Sequence, residues 1–117
     1  MQVKLKNGSA VVKDICPLRA VREYEKVILD SMNEEGKVTD FAGVNKAQFE
    51  LTRKMVESIT LDGKEPVQSA DLTEDWMLDN LDANDYEKIE DAVGSLSGKW
   101  ETKDEREKKR KHAKTDK

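Results

Sequence analysis

The sequence predicts an α+β fold, mainly α-helical: a small N-terminal β-hairpin packed on three to four helices, followed by a disordered, charged C-terminal tail. Three observations predict it. Residues 3–12 alternate in polarity around Asn7-Gly8, the dipeptide best suited to two positive φ values in a tight turn. Apolar residues then recur at spacings of three and four through several segments, which is the helical period. From Ser97 onward that period stops.

Val3 and Leu5 face inward in the predicted hairpin, with Lys4 and Lys6 in water. A lone hairpin is marginal in water and must pack on a helix. That helix is predicted from about Pro17 to Met32, because Pro17 suits a first helical position and Leu18, Val21, Tyr24, Ile28 and Met32 keep helical spacing. Gly36 ends the segment, and residues 37–44 read either as a loop or as a short strand. A second helix is expected from about Asn45 to Ile59, with Ala47, Leu51, Met55 and Ile59 in one stripe and Asn45 and Gln48 in a capping-box-like relation. Asp62-Gly63 marks a turn, and Pro66 argues against a central strand after it. Two short helices follow, near residues 72–81 and 83–93, with Asp82 and Asn84 offering side-chain caps between them and Gly94 a stop. The expected core is Leu18, Val21, Ile28, Leu51, Met55, Ile59, Trp76, Leu81 and Ile89.

At 117 residues the chain reads as one domain, residues 1–96, with a flexible tail over 97–117. Charge is segmented: residues 71–91 carry nine carboxylates against Lys88 alone, a net −8, whereas residues 1–70 balance and the last nineteen carry nine bases to five acids. Segregated charge bears on solubility and partner choice and names no reaction. Capping and the helix dipole account for some of these acids. The near-absence of bases over 21 residues is the part expected to be functional.

Cys16 is the only cysteine, so an internal disulfide and a cysteine-based zinc site are excluded, and His112, the only histidine, falls in the expected tail, which leaves a histidine-based triad without a credible general base. Cys16 is expected as a small buried hydrophobe beside Pro17. The segments beginning at Asp79 and Asp82 fail the calcium-loop pattern, the second placing Val93 where the bidentate glutamate belongs. No glycine-rich phosphate loop occurs, no cofactor is expected, and the reading is not an enzyme. No apolar run approaches the roughly 20 residues needed to span a bilayer, and MQVKLKNGS lacks the apolar centre of a signal peptide; the expectation is a cytoplasmic protein with no membrane or nucleic-acid partner. The basic run Lys108 to Lys111 is read as a solvated tail.

The order of VKLKNGSAVV, PLRAVREYEKVI, FELTRKMVESI and LTEDWMLDNLDANDYEKIEDAVGSL over residues 1–96 resembles the small tail assembly chaperones of long-tailed bacteriophages and prophages. Leu78, Leu81, Asp85, Tyr86 and Ile89 carry the late part of that pattern. The resemblance implies a non-enzymatic protein that binds the long tape measure protein in the host cytoplasm, keeps it soluble, gives way to the tail tube protein, and is absent from the mature virion. On that reading Met32, Met55, Trp76 and Met77 supply adaptable apolar contacts, while Asp79, Asp82 and Asp85 belong to an acidic face that keeps a multi-copy complex dispersed. A homo-oligomer is compatible with the sequence. Two other readings stand beside it: an acidic regulator that occupies a basic surface such as a nucleic-acid-binding site, and a structural subunit that persists in the particle.

Overall fold

The computed structural model describes residues 1–103 and 105–109. Four strands, β1 (Gln2–Leu5), β2 (Gly8–Val12), β3 (Val56–Leu61) and β4 (Val67–Gln68), form one antiparallel sheet in the order β1-β2-β3-β4. Four α-helices, α1 (Leu18–Asp30), α2 (Phe41–Met55), α3 (Glu74–Asn80) and α4 (Ala83–Ser97), accompany it, with a 3₁₀ turn at Ser69–Asp71. The α+β class and the helical majority are as the sequence predicts. The sheet is larger than the expected hairpin.

The N-terminal hairpin forms, with Leu5 buried, Val3 half-buried and Lys4 and Lys6 exposed. Its loop is Lys6-Asn7 rather than Asn7-Gly8, since Leu5 pairs with Gly8. Gly8 belongs to β2 and lies so close to β3 that an added Cβ would run into the Thr60 carbonyl. Close backbone approach, not turn geometry, is what requires glycine there.

β3 is the element missing from the sequence reading, which carried the second helix on to Ile59. The helix stops at Met55, whose carbonyl accepts from the Lys13 amide (2.8 Å). Residues Val56–Leu61 then pair with β2, Ala10 opposite Ile59 and Ser9 opposite Thr60. Val56, Ile59 and Thr60 are β-branched and stiff at χ1, which favours a pleated surface. β3 is central, whereas Pro66 precedes the two-residue edge strand β4, where a missing N–H costs little.

The helix bounds also differ. α1 begins at Leu18 behind Pro17 and buries Ala20 and Tyr24; Leu18, expected in the core, is 68% exposed because it falls on the flank turned from α2. α2 begins at Phe41, four residues before the expected Asn45, because the Asp40 carboxylate accepts from the Gly43 amide (2.9 Å). Before it, residues 37–40 run as a loop with one bridge, Met32 to Val38. Thr73 caps α3 and Asp82 caps α4, whose helix passes Gly94 and ends at Gly98 in the left-handed region (φ 69°).

α4 and α2 cover one face of the sheet, and α1 packs on α2. The core joins Leu5, Ala10 and Val12 from the hairpin with Leu51 and Met55 of α2, Val56 and Ile59 of β3, Leu72, and Ile89 and Val93 of α4. Ile28, Trp76, Leu81 and Cys16 are half-buried at its margin, and Val21, expected in the core, is half-buried on α1. Residues 98–103 of the expected tail lie against the body: Trp100 packs on Tyr24 with ring centroids 5.6 Å apart and the rings tilted by 54°, and the Asp91 carboxylate accepts from the Lys103 amide (3.2 Å). Residues 103 and 105–109 of the expected tail are helical, with the Arg106 amide donating to the Thr102 carbonyl (3.0 Å), and the expectation for residue 104 and residues 110–117 lies outside the described residues.

Candidate functional site

Two surfaces stand out, the α1–α2 hairpin and the acidic strip around α3. The first follows from a pair of small residues. Ala20 of α1 and Ala47 of α2 are both buried, and their missing side-chain bulk leaves a groove of 360 Å³ between the helices. Tyr24, Val27 and Leu51 complete its apolar lining, and Glu23, Lys46, Glu50 and Lys54 form its rim. Most of the rim charge is engaged within the fold. Lys54 pairs with Glu23 across the groove, and that contact holds the Glu23 carboxyl below its ordinary range. Glu50 takes a hydrogen bond from Arg53 at 2.8 Å. Exposed Lys46 makes no ion pair among the described residues.

Outside the groove the same hairpin exposes large apolar side chains, Leu18, Leu29 (69%) and Phe41 (71%), with Ile15 just before α1. Leu18, Arg22, Glu25 and Leu29 recur at helical spacing along one flank of α1, and Lys99 reaches Glu25 on that flank (3.7 Å). Scattered apolar residues are ordinary on a protein surface. Their concentration on one helical hairpin of a chain that is 39% charged marks a candidate contact surface.

The acidic strip divides by environment. Asp71, Glu74, Asp75, Asp79 and Asp82 are exposed, Glu87, Glu90 and Asp91 half-buried, and Asp85 is 1% exposed. Several have structural work: Asp82 caps α4, Glu74 and Asp75 lie in the first turn of α3, and Asp91 receives Lys103. Asp85 accepts from the backbone amides of Lys6 (2.8 Å) and Asn7 (3.2 Å) in the β1–β2 loop. Its outer partner is Lys88 at 3.9 Å. Burial raises the Glu90 carboxyl above its ordinary range, opposed by a hydrogen bond with Tyr86. Burial also raises the Tyr86 hydroxyl, aided by the negative charge of Glu90. Among the described residues no three His, Cys, Asp or Glu side chains converge to hold a metal ion, and no helix is long and apolar enough to cross a membrane.

The residues singled out from sequence are therefore scattered. Met55, Met77 and Asp85 are buried and hold the fold, which corrects their assignment to a partner-facing surface. Their apolar contacts and hydrogen bonds are made inside the chain. Met32 is half-buried at the end of α1, Trp76 half-buried against the core, and Asp79 and Asp82 are exposed on the acidic strip. The structure does not bring these seven together. What sequence reasoning missed is the groove, because Glu23 and Lys54 lie 31 residues apart and nothing local marks Ala20 and Ala47 as facing each other. No protein-family model matches the chain, and neither a curated protein nor a solved structure was found to resemble it.

Proposed function

We propose that this chain is a non-enzymatic tail assembly chaperone, which binds apolar helical stretches of a phage tape measure protein in the host cytoplasm, keeps that protein soluble, and yields to the tail tube protein. The observation that carries the reading is the α1–α2 hairpin, where Leu18, Leu29 and Phe41 are exposed on an otherwise charged body. Helix-to-helix recognition uses such spaced apolar anchors. The acidic strip supports the solubilising part, since net charge disperses complexes. The residue pattern over positions 1–96 supports the choice of partner.

Co-expression with the tape measure protein of the same genome tests it. The two should co-purify, the long protein's soluble yield should rise, and Leu29→Asp with Phe41→Asp should abolish both effects while leaving thermal melting unchanged. Absence of co-purification with the wild-type chain overturns the reading.

The exposed cluster Asp71, Glu74, Asp75, Asp79 and Asp82 favours a second reading, an acidic regulator that occupies a basic surface. Its complex should weaken steeply as salt rises. The helix-bound complex should weaken only slightly.

A further inference from the structure

We infer that residues 98–103 are a releasable strap across α1 and α4, with Trp100 as its latch, and that their release frees α1 as a unit from an otherwise folded chain. α1 is thinly held. Of its thirteen residues only Ala20 and Tyr24 are buried, and its packing on α2 leaves the groove between the two helices. Elements with few buried apolar contacts open at a lower free energy than the core. The strap supplies a second attachment: Lys99 pairs with Glu25 at 3.7 Å, and Trp100, seated over Gly94 of α4, packs against Tyr24.

Lifting the strap strands no polar group. Trp100 Nε1 donates to the Glu90 carbonyl at 3.2 Å, an acceptor inside α4 whose helical donor is the Gly94 amide, so the carbonyl keeps a partner and the indole N–H meets water. The Lys99–Glu25 pair lies at the surface, where such pairs contribute little, and the bond from the Lys103 amide to the Asp91 carboxylate is also exposed. Beyond Lys103 the described residues bond within their own segment: the Arg106 guanidinium donates to the Glu101 carbonyl at 2.8 Å, and Lys109 pairs with the Glu101 carboxylate. The hold of the strap therefore rests on the apolar area of one half-buried indole.

Release bears on the surface proposed above for the partner, and this part of the inference rests on that reading. Leu18 and Leu29 lie about 16 Å apart along α1 at 1.5 Å per residue, with Glu25 between them on the same flank. A partner helix that touches both must cross Glu25, where Lys99 sits. Lys99 and Trp100 are consecutive, so a side chain that has to leave the flank is joined to an indole that has to stay in its notch. Engaging the flank and seating the strap oppose each other. A freed α1 adds Ala20 and Tyr24, buried while the strap is seated, to the exposed anchors Leu18 and Leu29.

Native-state hydrogen exchange on the whole chain tests the release. In the wild-type protein the amides of α1 should exchange through an opening with a weaker urea dependence than that of β2 and β3, the mark of a smaller unfolding unit. Gly94→Ala acts from α4, where the three atoms nearest the new methyl all belong to Trp100. It should speed α1 exchange about fivefold, and Trp100→Ala about thirtyfold. Cys16, the only thiol and half-buried just before Pro17, should react with dithionitrobenzoate faster in the same order. Amides of α1 that exchange only together with β2 and β3, or that neither substitution speeds, overturn the strap. With the tape measure protein, Trp100→Ala should bind more tightly than wild type, because release no longer has to precede binding; weaker binding overturns the opposition between strap and partner. A wild-type chain that binds no tape measure protein overturns the partner reading and this coupling with it, while the strap stands or falls on exchange alone.

Discussion

At its N-terminal end α4 is tied to the hairpin by a buried carboxylate, Asp85, that collects the Lys6 and Asn7 amides. At its C-terminal end the same helix is held by an indole: Trp100 lies over Gly94, packs at a tilt against Tyr24, and donates from Nε1 to the Glu90 carbonyl at 3.2 Å. The first attachment is directional and leaves polar groups stranded when it is broken. The second is a fit of shape, in which the missing Cβ of Gly94 makes the space and apolar area supplies the energy. A carboxylate can fix the register of a turn to within one residue. An indole in a notch tolerates small rotations and is the attachment a folding chain can lose and regain.

The largest effect should come from the polar end. Asp85→Ala removes the acceptor of two loop amides and should cost about 3 kcal/mol in urea unfolding. Asp85→Asn, which keeps one acceptor, should cost about half as much. Next is Trp100→Ala, at about 2 kcal/mol, less than a fully buried aromatic because Trp100 is half-buried. Asp85 and Gly94 stand about 13 Å apart along the helix, so the double variant should be additive to within about 0.5 kcal/mol. A coupling several times larger would show that the two ends act as one.

Gly94→Ala sharpens the contrast through a change of sign. In the wild-type chain the new methyl displaces the indole and should destabilise by about 1 kcal/mol, with a red shift of Trp fluorescence. Without the indole, in Trp100→Ala, the same methyl loses the three atoms nearest to it and should stabilise by up to about 1 kcal/mol through helix propensity. The smallest effect is Glu90→Gln. Burial raises this carboxyl in the folded state, so the protonated form favours folding, and that stability is present at acidic pH and lost as pH rises through the raised pKa. Glu90→Gln should flatten stability against pH above the ordinary carboxylate range and leave the neutral-pH protein slightly more stable.

The sequence carried the elements whose signals are local. The hairpin, the helical stripe through Ala47, Leu51 and Met55, and the cap at Asp82 were all legible, because alternation, period and capping act within a few residues. β3 was not. Val56 and Ile59 extend the apolar spacing of α2 by one more turn, and only pairing with β2, more than forty residues earlier, turns them into a strand. Asp85 was misassigned for the same reason. Its acidic neighbours place it on an acidic outer face, while its actual partners belong to a loop at the other end of the sequence. Leu18 kept helical spacing yet sits on an exposed flank, since period alone does not say which of two apolar edges meets the neighbour. The groove depends on two alanines facing across a helix pair, a relation set by topology.

The reach of Asp85 also sets an order of events during synthesis. The Lys6 amide and its carboxylate acceptor are separated by 79 residues. A ribosome adding roughly 5–20 residues per second therefore delivers the acceptor roughly four to sixteen seconds after the loop that needs it. Through that interval β1 and β2 have only each other until β3 arrives, and a two-stranded hairpin by itself is marginal in water. The loop between them is made early and fixed late.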